Sequence, residues 1–368
     1  MKICFISPYI PKHFGGGEKY LLDCARVAAE KHDVFVAIPN LENYDLDFDP
    51  IKKNYSAFLG CSLENVQFIS TPIMTSANSW HKLLWTKQFD CIYYLTDGSL
   101  FFSIAANNVL HIQVPLQLNK AGLIERIKLA NWGIKNTNSE FTKKVIERTW
   151  QTKINLVHHP MIDIPQDKLV NKWIKHKEKI ILNVGRFFTH LHSKRQDVLV
   201  ETFINMRQQY PLETRDWQLI LVGKVEDQQY AAKIKKMSQG QPIKILHQVD
   251  RFELLKYYQQ ASIYWHATGF GLDEMEYPEK MEHFGISTVE AMAHGCLPIV
   301  INKGGQVEIL GEQLGGFLWD SQAACIDKTI GQINNAKSLQ KNQLAAYQRS
   351  HLFSEQIFKD KLFSMIGE

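Results

Sequence analysis

The chain has 368 residues, 45% of them hydrophobic and 22% charged, with a mean hydropathy of −0.23 and a net charge of +4. At ~100–200 residues per domain this describes a folded protein of about two domains and excludes a disordered one. No run approaches the ~18 apolar residues of a membrane span, and so small a net charge gives no case for nucleic acid.

Ile3–Ser7 is an apolar run ending at Pro8, Glu18–Lys31 carries Leu21, Leu22, Ala25, Ala28 and Ala29 at helical spacing, and Asp33–Ile38 is a second strand. That strand, loop, helix, strand order predicts a parallel sheet covered by helices. The first residues have no apolar core followed by a small-residue cleavage site, so they read as strand and loop and not as a leader. Strands are expected at Phe89–Leu95 and Val109–Val114, and a helix over Asn138–Trp150 capped by Asn138 or Ser139. A second series opens with strand Lys179–Val184 and helix Asp197–Tyr210. It continues through Gln218–Val222, Ile243–Leu246, a helix near Glu253–Gln260, Ser262–His266, a helix over 287–294 and strand Leu297–Ile301. Between the series, His158–Glu178 is charged and carries Pro160 and Pro165, which predicts a linker near 165–178. The fold class expected is α/β, two doubly wound domains facing a central cleft, with ligands beyond the carboxyl ends of the strands. The domains expected are 1–168, 169–345 and a C-terminal helical segment 346–368.

Cys4, Cys24, Cys61, Cys91, Cys296 and Cys325 form no CxxC pair, and several sit in apolar runs. Reduced thiols in the cytosol are expected, and a zinc ribbon is not. No HExxH is present. Asp45-Leu46-Asp47-Phe48-Asp49 contains a DxD, which reads as a polar surface loop rather than as a metal site.

Three segments at strand ends carry chemistry. His13-Phe14-Gly15-Gly16-Gly17-Glu18 brings glycines to a helix start, where free N–H groups suit an anion or the loop simply turns. It lacks the GxGxxG of a dinucleotide site, which counts against a dehydrogenase. Val184-Gly185-Arg186 and Ser193-Lys194-Arg195 place cations at a cleft mouth, as a diphosphate requires. The densest signal is Glu282-His283-Phe284-Gly285-Ile286-Ser287-Thr288-Val289-Glu290, followed by Ala291-Met292-Ala293-His294-Gly295. Eight helical residues span about 12 Å, too far for a glycosidase carboxylate pair at roughly 5–9.5 Å. Glu282 is expected before a helix and Glu290 in its first turn. Ser287-x-x-Glu290 also matches a capping box, so Glu290 has both a ligand and a capping reading. Gly295 fits the residue after the helix end.

These residues resemble the signature of the family 4 glycosyltransferases, which have the GT-B fold and retain anomeric configuration. The resemblance runs along nearly the whole chain: GGGE, Asn138-Ser139-Glu140-Phe141, VGR with Lys194, ILVG at 220–223, EHFGISTVEAMAHG and GGQVEI at 304–309. It implies that Glu282 approaches the donor sugar hydroxyls and Glu290 the ribose. It gives Phe284, Gly285, Ile286 and Ser287 to sugar and phosphate through their backbone, Arg186 and Lys194 to the diphosphate, and Gly16 and Gly17 to closing over it. His111 matches a histidine on the acceptor side of the sugar; a satisfied core histidine is its other reading. The resemblance implies a nucleoside diphosphate sugar as co-substrate, no cofactor and no required metal. The leaving diphosphate would assist same-face displacement. EHFGIS is most similar to mannosyl-transferring members, so GDP-mannose is the first donor, with UDP-sugars next. A sugar-nucleotide-binding protein with a dead site is the alternative of another class. Two features depart from the pattern: the aromatic, His-rich stretch before Lys194, which leaves Lys194 and Arg195 in competition, and the long segment 265–279 with Asp273, Glu274, Glu276 and Glu279, a flap or a solvated acidic loop.

Residues 119–153 hold Lys120, Arg126, Lys128, Lys135, Lys143, Lys144, Arg148 and Lys153 against three glutamates, a net +5. Leu123, Ile127, Ala130 and Ile134 form a stripe at helical spacing that either packs on the sheet or rests on an anionic membrane. The partners that the resemblance implies are a nucleoside diphosphate sugar and a glycan or lipid-linked acceptor of cell-surface polysaccharide assembly. The expected place is the cytoplasm, peripheral to the membrane. The segment Phe353–Ile366 resembles the family's last helix, which crosses back to the N-domain.

Overall fold

The computed structural model describes residues 1–8, 10, 15–39, 47–116 and 122–367. The chain divides into two compact units, Met1–Met161 with Glu355–Glu368, and Ile162–Ser354.

The first unit runs β1 (Lys2–Ile6), α1 (Gly16–Ala28), β2 (Asp33–Pro39), α2 (Phe48–Leu59), β3 (Val66–Thr71), α3 (Ser79–Thr86), β4 (Cys91–Thr96), β5 (Asn107–Ile112), α4 (Leu123–Asn131), β6 (Ile134–Thr137), α5 (Glu140–Trp150) and β7 (Leu156–Val157). All seven strands are parallel in the order β3-β2-β1-β4-β5-β6-β7. Alternating strand residues feed two layers. Ile3, Phe5, Val34, Val36 and Tyr93 pack with Leu21, Cys24 and Ala28 of α1, whereas Cys4, Ile6, Ile92 and Tyr94 pack with Leu129, Trp132 and Ile146. That period-two split is what a sheet buried on both faces requires.

The second unit runs α6 (Asp167–Lys175), β8 (Glu178–Val184), α7 (Gln196–Gln209), β9 (Gln218–Val222), α8 (Gln228–Met237), β10 (Ile243–Leu246), α9 (Arg251–Gln260), β11 (Ala261–His266), α10 (Ile286–Ala293), β12 (Leu297–Ile301), α11 (Gln306–Leu314), β13 (Leu318–Trp319), α12 (Gln322–Ile333) and α13 (Ala336–Ser350). Its parallel order is β10-β9-β8-β11-β12-β13. Both sheets therefore reverse direction beside their first strand, at β1/β4 and at β8/β11. In doubly wound sheets the crevice beyond that point receives ligands.

The units part at 161/162 and 354/355, where the sequence reading places 168/169 and 345/346. The expected linker instead carries α6, whose Val170 and Ile174 are buried against Tyr347 of α13. Helix α13 and Phe353 belong to the second unit because Ala346 and Phe353 pack with Met292, Ile309 and Leu310. Only the last helix, α14 (Glu355–Ile366), joins the first unit, through Phe358, Leu362, Met365 and Ile366. Ile134 starts β6 and does not extend the helical stripe of α4. Among the described residues no helix is long and apolar enough to cross a membrane, and none of the six cysteines is in a disulfide.

Candidate active site

The site in the second unit is assembled at the β8/β11 reversal. Strand β8 ends in Val184, and Gly185 and Arg186 follow. Glycine is required at 185 and 223 because a Cβ on Gly185 would meet the Lys194 stem at 2.5 Å, and one on Gly223 would enter the Gly185 carbonyl. The two strand ends thus close up and set the Arg186 backbone. The Arg186 guanidinium donates to Glu226 at 3.0 and 3.2 Å and lies 4.7 Å over the Phe188 ring. An open pocket of about 540 Å³ is bounded by Arg186, Phe188, His190, His192, Glu226 and Asp227.

Lys194 and Arg195 part company. Lys194 Nζ lies 2.5 Å from Glu282 Oε2. Arg195 turns into α7 at φ +49 and spends its guanidinium on Asp197 and the Phe270 carbonyl. Sequence spacing left these two in competition; only Lys194 joins Glu282.

Glu282 also meets His266 Nε2 at 2.8 Å, from the last residue of β11. Burial opposes the charge on Glu282, but Lys194 and His266 outweigh it and hold the carboxyl well below its usual range. Burial conversely depresses His266, against the pull of Glu282. His266 was not singled out in the sequence; its position at a strand end beside the reversal is the signal that finds it. His283 Nε2 donates to the Glu279 carbonyl at 3.2 Å, and burial pushes its pKa down to about 4.

The chain enters α10 through Gly285 at φ +124, a conformation that favours glycine, and Gly285 is the cap. Phe284 is buried in the core, and Ile286 and Ser287 are the first two helical residues, with N–H groups that have no partner inside the helix. The capping box is therefore absent: Ser287 is inside the helix and bonds Tyr264 at 2.8 Å. Glu290 lies beyond the first turn, where its carboxylate receives Arg251 at 2.6 Å and Tyr258 at 3.0 Å. The far end follows expectation. Gly295 at φ +76 donates to Met292 and Cys296 donates to Ala291, the paired bonds of a left-handed helix stop.

Gly304 and Gly305 admit the 282–284 segment, since Cβ atoms there would strike the Glu282 and Phe284 carbonyls, and Gly305 N donates to Glu282 O at 2.8 Å. The long segment before Glu282 is tied to the same turn: Glu274 accepts from Gly304 N at 3.1 Å, and Lys303 bonds the Leu272 carbonyl. Asp273 closes a local turn by accepting from Met275 N and Glu276 N. The acidic stretch is thus anchored at its start by backbone and side-chain bonds.

In the first unit, Gly15 caps α1, its N–H held by Glu18 at 2.8 Å, and Gly16 and Gly17 are the first helical residues. A Cβ on Gly17 would lie 3.4 Å from the Gln113 amide. His111 is wholly buried on β5, stacked on Tyr20 at 3.9 Å and bonded to Asn136 at 2.5 Å. Burial pushes its pKa down to about 4 against the opposing pull of Asn136 and Gln113, so the ring is neutral. His13 and Phe14, Asp45 of the DxD and Lys120 lie outside the described residues. Asp47 caps α2. Among the described residues no group of three or more His, Cys, Asp or Glu is arranged to hold a metal ion.

Two parallel-sheet α/β units of this order make a GT-B fold. The chain aligns over 100% of its length with 99% of Anabaena Alr3699/HepE, solved in complex with UDP and glucose, at a TM-score of 0.68 and 16% identity. It aligns equally fully with TarM at 0.74 and 10%. The family model described as glycosyl transferases group 1 matches residues 165–349, half of the chain, and the chain belongs to that family. Among curated proteins it is 23% identical over 252 residues to human alpha-1,3/1,6-mannosyltransferase ALG2, covering 62% of this chain and 57% of that protein. It is 28% identical over 245 residues to the Xenopus laevis GDP-Man:Man(3)GlcNAc(2)-PP-Dol alpha-1,2-mannosyltransferase, covering 61% and 46%. The chain spans about half the length of these relatives.

Proposed function

We propose that this protein is a retaining glycosyltransferase that moves a hexose from a nucleoside diphosphate sugar to a glycan or lipid-linked acceptor. The observation that carries the reading is the Lys194–Glu282 pair just before the start of α10, where the amides of Ile286 and Ser287 have no partner inside the helix. A cation and helix amides suit the leaving diphosphate, and an ionised carboxylate suits sugar hydroxyls. Arg186 adds the bidentate contact, Glu290 takes the ribose, Gly16 and Gly17 approach the diphosphate, and His111 serves the acceptor side of the sugar. The cations supply the charge that a metal would otherwise supply, so no cofactor is invoked. No protein nucleophile is assigned: a diphosphate oxygen takes the acceptor proton as the acceptor oxygen attacks the same face that the diphosphate leaves.

GDP-mannose is the first donor, supported by the EHFGIS resemblance and by the mannosyltransferase names of the relatives. A UDP-sugar donor with a soluble acceptor is the second, favoured by the UDP bound in the Anabaena protein. Contact with the cytosolic face of a membrane through 119–153 is supported by the exposure of Leu123, Ile124 and Ile127 at 76%, 61% and 51%. Calorimetry against GDP, UDP, ADP and NAD, followed by NMR of the anomeric product, tests the reading. Binding of one nucleoside diphosphate and an α-product from an α-donor are expected. An inverted product overturns retention, a UDP preference overturns mannose from GDP-mannose, and binding without transfer or slow donor hydrolysis indicates a dead site.

A further inference from the structure

His111 and Asn136 are paired in register on neighbouring parallel strands, so their side chains share one face of the sheet. Their neighbours fix the protons. The Phe358 carbonyl can only accept, so His158 Nε2 donates to it at 3.0 Å. His158 is neutral, held well below its usual value by burial, so its Nδ1 carries a lone pair and accepts the Tyr20 hydroxyl at 2.5 Å. Tyr20 has then spent its one proton, and its oxygen accepts from Tyr93 at 2.6 Å. Both phenols stand only at 3.4 and 3.3 Å from Asn136 Oδ1. That oxygen is left for His111 Nδ1 at 2.5 Å, while the Asn136 amide nitrogen faces the Leu110 carbonyl. An amide oxygen accepts only, so His111 Nδ1 bears the hydrogen.

The consequence is a bare Nε2. It is buried with no hydrogen bond within 3.5 Å. Gln113 Oε1, two residues further on and beside Gly17, has none either, and the Gln113 side chain approaches the ring closely enough to raise its pKa. Buried acceptors without donors are uncommon enough to need an explanation. We infer that Asn136 is a positioning residue that locks His111 in the Nδ1–H tautomer, so that His111 Nε2 and Gln113 Oε1 present two lone pairs to hydroxyl donors of the sugar or acceptor. His111 then accepts a hydrogen bond and does not act as a proton donor. The Tyr20 ring, stacked at 3.9 Å, holds the imidazole plane. The inference rests on the reading that this unit meets the sugar.

Long-range proton–nitrogen spectra of protein labelled at histidine test it. His111 is expected to show a protonated Nδ1 and an unprotonated Nε2 in the free protein. Asn136→Asp, which still accepts from Nδ1, keeps that pattern. Asn136→Ala loses it, with at least a tenfold fall in kcat/KM and nucleoside diphosphate affinity within twofold of the parent. A protonated Nε2 in the parent overturns the inference, as does an Asn136→Ala variant with the parent's tautomer and rate. If Asn136→Ala fails to fold, the parent and Asn136→Asp spectra decide. Absence of transfer by the parent counts against the proposed function, whereas the tautomer is read without turnover.

Discussion

Lys194 Nζ lies 2.5 Å from Glu282 Oε2, and the two side chains are only 12% and 13% exposed. The cation assigned to the diphosphate and the carboxylate assigned to the sugar are one ion pair. A donor that engages both would divide the pair, and the charge on each would turn to the ligand. Removing one partner strands the other in a poorly solvated site, a loss of about 3–5 kcal/mol for buried pairs. Glu282 keeps His266 when Lys194 is removed, which places the loss toward the lower end. Lys194→Ala is therefore expected to lower Tm and abolish measurable transfer. Lys194→Met with Glu282→Gln should recover most of the Tm and none of the activity. A double variant no more stable than Lys194→Ala contradicts a coupled pair.

Arg186 gives the opposite separation. Its pair with Glu226 is exposed, 43% and 39%, and pairs of that kind contribute little to stability. Arg186→Ala should leave Tm unchanged and lower kcat/KM by more than tenfold, above about 1.4 kcal/mol of lost transition-state stabilisation. Full activity removes Arg186 from the diphosphate.

Glu290 has no capping duty, but its buried carboxylate is paired with Arg251 and Tyr258, so its substitutions are read by binding with Tm measured alongside. Glu290→Ala is expected to weaken nucleoside diphosphate binding by tenfold or more, and Arg251→Ala to do the same by releasing the carboxylate that Arg251 now fixes at 2.6 Å. Glu282→Ala should leave that affinity nearly intact while removing transfer. Calorimetry on the three variants checks this; equal losses in all three contradict the division of labour between the glutamates.

The architecture was legible where a local rule governs. Val184-Gly185-Arg186 marks a strand end because buried β-branched residues stop at a glycine, and Gly295 marks the end of α10 because the left-handed stop needs it. The segments α2, β3 and α3 were missed, since Pro50 interrupts one and short mixed runs blur the others. Helix α6 was hidden by its charges, with Val170 and Ile174 buried against a helix far along the chain. The capping box failed because one glycine at φ +124 moved the helix start so that Ser287 fell inside it. Arg251, Tyr258, His266 and Asn136 were invisible for a common reason: each meets its partner across 16 to 39 residues of chain, and only the strand order brings them together.

Acid should destabilise the protein before carboxylates protonate in bulk. His111, His283 and His294 are each depressed to about 4 by burial. Against an unfolded value near 6.5, the unfolded chain binds more protons between about pH 6.5 and 4, so stability falls as pH falls through that window. Each contributes up to about 3 kcal/mol when fully expressed. Glu282, depressed in the folded state, adds a loss of the same sign below the ordinary carboxylate range. Tm should therefore drop steadily from pH 7.5 to 5. A flat profile over that range contradicts neutral buried histidines.

Helix α4 buries Leu129 and leaves Leu123, Ile124 and Ile127 exposed, so this stripe does not pack on the sheet. Asn131, one turn beyond Ile127 on the same face, holds Ser103 by two bonds of 2.8 and 2.9 Å. Phe102 and Ile104, 41% and 45% exposed, flank Ser103. The 102–104 loop, with its two exposed apolar side chains, is thus tied to the end of α4. Arg126 and Lys128 are on the same helix; Lys128 is 3.8 Å from Glu125, and Arg126 bonds Gln151. Inserting such side chains into a bilayer interface gains roughly 25 cal/mol per Å² of apolar surface, and each cation adds about 1 kcal/mol at an anionic leaflet. The protein is expected to co-sediment with vesicles containing anionic lipid and not with neutral ones. Charge reversal at Lys120, Arg126 and Lys128 should abolish binding. Leu123→Ser with Ile124→Ser and Ile127→Ser should weaken it without lowering Tm, because these side chains contribute little to the fold. Binding to neither vesicle contradicts the membrane reading and leaves a soluble acceptor.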